Sequence, residues 1–117
     1  MPSRRIYLSL GSNIGDRESN LRKAVRSLEE RLGKASGLSS LYETEPWGYK
    51  NQPSFLNMCA CFDSNIEPED LLGLISSIES ALGRQRTFRW GPRTVDIDIL
   101  MMGDVSIDGE ALTIPHP

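Results

Sequence analysis

The amino-acid sequence predicts an α+β domain: an antiparallel sheet with two helices packed on one of its faces. Two observations lead there. Segments alternating polar and apolar residues read as strands, and two stretches with apolar residues at three- and four-residue spacing read as amphipathic helices. They follow one another in the order strand, helix, strand, strand, helix, strand.

Arg5 to Leu10 places Ile6, Leu8 and Leu10 on one face and ends at Gly11-Ser12-Asn13-Ile14-Gly15-Asp16, a turn signal. Asp16 suits the N-cap of a helix carrying Leu21, Ala24, Val25, Leu28 and Leu32, which Gly33 stops. Leu38 to Glu43 reads as the second strand and enters a Pro- and Gly-dense loop, Thr44 to Pro53. The third strand is expected over Phe55 to Phe62. Pro68 stands where a first helical turn tolerates it, and Leu71, Ile75, Ile78 and Leu82 form the apolar stripe of a second helix closing at Gly83. An arginine-bearing loop leads to the fourth strand, Thr94 to Met102, followed by a hairpin-like tail punctuated by Asp104, Asp108 and Gly109. This order is that of the ferredoxin-like, split βαβ arrangement.

A chain of 117 residues with 38% hydrophobic composition fits one domain, 1–117, that buries a core without disulfides or a structural metal. It contains no apolar run approaching the roughly 20 residues that cross a bilayer and no signal-peptide pattern at its N-terminus, so a soluble, cytoplasmic monomer with no membrane partner is expected. Thirteen Lys plus Arg against sixteen Asp plus Glu, net charge -3, argue against a general nucleic-acid binder. The charge is unevenly placed. No Lys or Arg lies between Lys50 and Arg84, after which Arg84, Arg86, Arg89 and Arg93 arrive together. That cluster is either a solvated basic loop or an anion site, because guanidinium groups grip phosphate oxygens two at a time. Cys59 and Cys61 share a strand face and are expected to be small, reduced core residues without chemistry.

The densest chemistry lies in Arg93-Thr94-Val95-Asp96-Ile97-Asp98-Ile99-Leu100. A period of two puts Asp96 and Asp98 on one face and Val95, Ile97 and Ile99 on the other, toward the helices. Two carboxylates so close repel one another unless a cation sits between them, and a hard divalent ion such as Mg²⁺ arriving with a nucleotide meets that need. The alternative is a polar edge whose Asp residues pair with nearby arginines. Trp90-Gly91-Pro92-Arg93 sets an aromatic plane and a guanidinium beside the acidic pair, a combination suited to a nucleoside triphosphate. No P-loop is present, and Gly11-Ser12-Asn13-Ile14-Gly15 is not a dinucleotide fingerprint, so side chains must neutralise any phosphates. Phe55 and Asn57 point the same way and, with Pro46-Trp47-Gly48, make a slot for a flat heterocycle unless Phe55 is ordinary core.

Taken in order, Gly11-Ser12-Asn13, Tyr42-x-Thr44-x-Pro46-Trp47-Gly48, Gln52-Pro53-x-Phe55-Leu56-Asn57, Glu79-x-x-x-Gly83-Arg84-x-Arg86, Arg89 to Leu100 and Ile114-Pro115-His116-Pro117 resemble the 6-hydroxymethyl-7,8-dihydropterin pyrophosphokinases over nearly the whole chain. The resemblance implies a folate-pathway enzyme that moves pyrophosphate from ATP to the pterin hydroxymethyl group and releases AMP. It implies Asp96 and Asp98 as ligands of two Mg²⁺ ions, with Arg84 and Arg93 sharing the catalytic charge neutralisation. Glu79, Arg84, Arg86, Trp90, Arg93, Ile99, Thr113 and His116 would contact ATP. Thr44, Pro46, Gly48, Phe55, Asn57 and Asp98 would hold the pterin. The family continues past the Pro-His-Pro corner with a segment that stacks on the pterin opposite Phe55, so a chain ending at Pro117 is expected to lack it. Rival readings of a different class are a nucleotide-binding copy without turnover and a non-catalytic ferredoxin-like binding module. An RNA role for the latter is opposed by the two carboxylates, which would repel a phosphate backbone.

Overall fold

The computed structural model describes residues 3–45, 52–83, 94–109 and 113–116. The chain runs β1 (Arg4–Ser12), α1 (Arg17–Leu32), β2 (Gly37–Leu38), β3 (Tyr42–Thr44), β4 (Phe55–Ser64), α2 (Pro68–Ala81), β5 (Asp96–Met102), β6 (Ile107–Asp108) and β7 (Thr113–Ile114). The main sheet has the order β2-β4-β1-β5, with β3 also on β4, and every pairing in it is antiparallel. Counting β2 and β3 as the two halves of the expected second strand, this is the ferredoxin-like α+β arrangement. The tail folds back as the two-stranded β6–β7 ladder.

Alternation builds the core. Ile6, Leu8 and Leu10 of β1, Met58, Ala60 and Phe62 of β4, and Val95, Ile97 and Ile99 at β5 turn one sheet face inward. The stripes Leu21, Ala24, Leu28 on α1 and Leu71, Ile75, Ile78 on α2 close over that same face in one continuous cluster. Burying a side chain such as Phe62 contributes about 2–3 kcal/mol. The helix ends follow local chemistry. Asp16 Oδ1 accepts the Ser19 N–H at 3.1 Å, and Gly33 terminates α1 at φ +90°, where a Cβ would be strained. Pro68 occupies the first turn of α2, where its missing N–H costs nothing.

Three expectations are corrected. The second strand is not continuous over Leu38 to Glu43: Ser39 Oγ accepts the Cys59 N–H at 2.7 Å, a side chain standing in the ladder, and β2 and β3 separate around it. The first strand does not stop at Leu10, because Gly11 and Ser12 remain paired with β4. Cys59 and Cys61 are free, as expected, but half-exposed rather than core. They share a face, and it is the one opposite the helices, since Met58, Ala60 and Phe62 take the inward positions.

On β5 the register slips by one residue. Tyr7 faces Met101 while Leu8 faces Ile99, leaving Leu100 as a bulge. Plain alternation continued past Ile99 would bury Met101; instead Met102 is fully buried and Met101 is 49% exposed.

At the far end of the sheet Arg5 grips Asp63 with Nε at 2.8 Å and an Nη at 3.2 Å, while Ser36 Oγ donates to the same carboxylate at 2.7 Å. These bonds, that of Arg5 foremost, hold the Asp63 pKa below its ordinary value. A lowered pKa in the folded state means that the contribution is complete above the unfolded value of about 3.9 and is lost as the pH falls through the folded one. Comparing thermal midpoints of the wild type and Asp63→Asn across pH should therefore show a small constant gap near neutrality that closes in acid.

Candidate functional site

The face of the sheet away from the helices presents a polar grid set by strand register. Gly11, on the central strand, is the partner of Asn57 on β4 and of Asp96 on β5. Two residues back, Ser9 is the partner of Cys59 and of Asp98. Tyr42 of β3 continues the first row as partner of Asn57, and Thr44 is the partner of Phe55. Two strand spacings separate the backbones of Asn57 and Asp96, about 10 Å.

Gly11 is what allows the row to be continuous. A Cβ there would lie 3.0 Å from Asn57 Oδ1, so the amide would have to give by a few tenths of an ångström, and 3.4 Å from the Phe55 ring, at the edge of ordinary contact. On the β4 side, Asn57 Nδ2 donates to Thr44 Oγ1 at 2.8 Å, with longer approaches to the Tyr42 and Phe55 carbonyls at 3.4 Å. Thr44, Phe55 and Asn57, predicted together, are brought together. Phe55 is half-buried on this open face rather than in the core beneath. Burial raises the Tyr42 hydroxyl pKa, helped by the Cys59 sulfur 4.0 Å away.

On the β5 side, Asp96 and Asp98 project from the same face, half-exposed, while Val95, Ile97 and Ile99 are buried beneath. The bulge brings a third group to them. The Leu100 carbonyl accepts the His116 N–H at 3.1 Å, which carries His116 Nε2 to 3.6 Å from Asp98 Oδ1. Glu79 is only 7% exposed, and its Oε2 accepts the N–H of Ile97 at 2.9 Å. That amide lies between the two aspartates, so α2 holds the acidic strand through one carboxylate. The Ile99 side chain is in the core, so a ligand at that position meets backbone. Arg84, Arg86, Trp90, Arg93, Pro46 and Gly48 lie outside the described residues, as does the side chain of Thr113.

Two further side chains, Asn13 of the Gly11-Ser12-Asn13 motif and Arg17, which the sequence pattern did not single out, organise the entry to β4. Asn13, 1% exposed, donates from Nδ2 to Gln52 Oε1 at 2.9 Å and to the Pro53 carbonyl at 3.1 Å. Arg17, the first residue of α1, donates to the Ser54 carbonyl and to Glu43. Gly11-Ser12-Asn13 was visible as a motif, but nothing in one dimension marks Arg17, because its partners lie 26 and 37 residues away.

An antiparallel α+β sheet with its apolar face under two helices and its polar face bearing an acidic pair beside an Asn–Thr–aromatic group defines a protein of the split βαβ class with a candidate ligand face. The comparisons are more particular. The family profile for 7,8-dihydro-6-hydroxymethylpterin-pyrophosphokinase matches residues 7–117, and the chain belongs to that family. A 2-amino-4-hydroxy-6-hydroxymethyldihydropteridine pyrophosphokinase of Bacillus subtilis is 48% identical over 112 residues, covering 95% of this chain and 67% of that relative. One from Aquifex aeolicus is 44% identical over 112 residues, covering 96% of this chain and 69% of the relative. The folic acid synthesis protein fol1 of Schizosaccharomyces pombe is 44% identical over 111 residues, which cover 94% of this chain but 15% of that protein.

Removing the Glu79 acceptor leaves the Ile97 amide buried without it. Glu79→Leu should lower the unfolding free energy by about 1–3 kcal/mol, and Glu79→Gln, which keeps an oxygen in place, by clearly less, as read by urea denaturation.

Proposed function

We propose that this protein transfers pyrophosphate from ATP to the hydroxymethyl group of 6-hydroxymethyl-7,8-dihydropterin in folate biosynthesis, with residues 1–117 acting as one pyrophosphokinase domain. The family match over residues 7–117 carries the reaction. The open-face grid supports its division of labour, with nucleotide and metal toward β5 and the pterin toward β3 and β4. No helix among the described residues is long and apolar enough to cross a membrane.

The acidic pair fits magnesium. Asp96 and Asp98 are two half-exposed carboxylates two residues apart on one strand face, and Mg²⁺ is commonly held by one or two carboxylates while substrate phosphates and water complete its shell. Asp96 and Asp98 would hold two such ions when ATP is bound, and these would supply neutralisation of the phosphate charge. The protein's own contribution is position. Asp98 lies toward the reacting hydroxyl and is flanked by His116, while Arg84 and Arg93 offset the phosphate charge. The pterin hydroxymethyl oxygen forms a bond to the β-phosphorus and gives up its proton to solvent, while the bond from the α,β-bridging oxygen to the β-phosphorus breaks and AMP leaves with that oxygen. Asn57, its amide oriented by Thr44, presents Oδ1 as a hydrogen-bond acceptor for the heterocycle edge, and Phe55 supplies a flat apolar wall. Glu79, Arg86, Trp90, Ile99, Thr113 and His116 complete the ATP side, and Pro46 and Gly48 the pterin side.

AMP release from ATP in the presence of the dihydropterin and Mg²⁺ tests the reading, and its absence would reject the reaction for this chain. Asp96→Ala combined with Asp98→Ala should abolish the Mg²⁺-dependent heat of binding of a non-hydrolysable ATP analogue in isothermal titration. Unchanged binding would refute the metal assignment. Asn57→Ala should weaken the dihydropterin by about tenfold, the scale of one lost hydrogen bond in a desolvated site, and leave the nucleotide affinity alone. A fall in nucleotide affinity instead would reverse the division.

A further inference from the structure

The Arg17 contacts lie apart from both substrate groups, yet they meet the pterin side at two points. Nη1 donates to the Ser54 carbonyl at 2.9 Å and Nη2 to Glu43 Oε1 at 3.1 Å. Ser54 immediately precedes Phe55, Glu43 immediately precedes Thr44, and Thr44 and Phe55 are cross-strand partners. One rigid guanidinium therefore spans the two strands at the row where the aromatic and the hydroxyl of the pterin group begin.

The staple matters because of how little else holds β3. It has three residues, all exposed, and among the described elements it pairs with β4 alone. Isolated pairings this short are marginal in water. The position of β3 is in turn what orients Asn57, since Thr44 Oγ1 accepts the Asn57 amide. The fork of a guanidinium fixes the separation of its two acceptors, whereas an ammonium is a single point of charge. The Arg17 side chain is 29% exposed, and one of its bonds ends on a backbone carbonyl, so it differs from a freely solvated ion pair. Asn13 fixes Gln52 and Pro53 just upstream, so the approach to β4 is held by two side chains, Asn13 after β1 and Arg17 at the start of α1.

We infer that Arg17 is a positioning residue for the pterin substrate: by tying Glu43 to the Ser54 carbonyl it sets the spacing of Thr44 and Phe55, and through Thr44 the orientation of Asn57. The inference rests on the assignment of Thr44, Phe55 and Asn57 to the pterin. It touches nothing on the acidic strand, which lies across Gly11 from Asn57, so its effect is confined to one substrate.

Steady-state kinetics of the intact protein with each substrate varied in turn provide the test. Arg17→Met keeps the apolar stem and removes both donors. It should raise the dihydropterin KM about five- to tenfold while the ATP KM and kcat stay within about twofold, the size expected for two charge-assisted bonds acting on position. Arg17→Lys restores one of the two contacts and should recover part of the loss, and Glu43→Gln should give a smaller rise of the same kind. If Arg17→Met does not fold, these two variants carry the test alone. An unchanged dihydropterin KM in all variants, or an equal loss in both KM values and kcat with a lowered melting temperature, overturns the inference. Asn57→Ala, measured alongside, separates the two levels: if it raises the dihydropterin KM and the Arg17 variants do not, positioning fails and the site assignment stands. If Asn57→Ala is also silent, the site assignment is what failed.

Discussion

The double pairing of β1 is the constraint on which the rest of the molecule depends. Because this strand is bonded antiparallel to β4 on one side and β5 on the other, one register decision places Asn57 and Asp96 on opposite flanks of Gly11, and Cys59 and Asp98 on opposite flanks of Ser9. A slip of one residue would turn every one of those side chains into the core and bring Leu8 and Leu10 to the surface. Burial of Ile6, Leu8 and Leu10 under the helices forbids it. The apolar face thus specifies the polar face without touching it.

Gly11 adds a steric condition to that register. The central strand passes through a glycine where Asn57 Oδ1 and the Phe55 ring approach it, so a Cβ would crowd the Asn57 amide at 3.0 Å. The bulge at Leu100 works on the other flank. The carbonyl of the bulged residue accepts the His116 amide, and the imidazole stands 3.6 Å from Asp98, linking the tail to the acidic strand. Glu79 then fastens that strand to α2 from beneath. The open face of this pyrophosphokinase family chain is in this sense supported from three directions.

Much of this was legible beforehand where the physics is local. Period-two and helical alternation identified both helices and the strands, Asp16 and Gly33 marked the bounds of α1, and the spacing of Asp96 and Asp98 put them on one face. The misreadings share a cause. Ser39 interrupts the second strand through a bond to a backbone amide on β4, and the expectation of core for Cys59 and Cys61 fails because alternation says that two residues share a face without saying which face it is. The burial of Met102 in place of Met101 has a similar origin, one extra residue in β5 that opposes none in β1.

By itself the sequence determined the order of elements, the inward stripes, the acidic pair and, through its motifs, the family, since each depends on residue type and near spacing along the chain. Only the tertiary structure decided that Asn57 and Asp96 flank a glycine on one row, that Glu79 anchors the acidic strand, that His116 meets Asp98, and that Arg17 bridges Glu43 and Ser54. Those contacts join residues separated by 18 to 85 positions. Hydrogen-bond partners that distant are chosen by strand register and helix docking, and the sequence pattern carries no local trace of them.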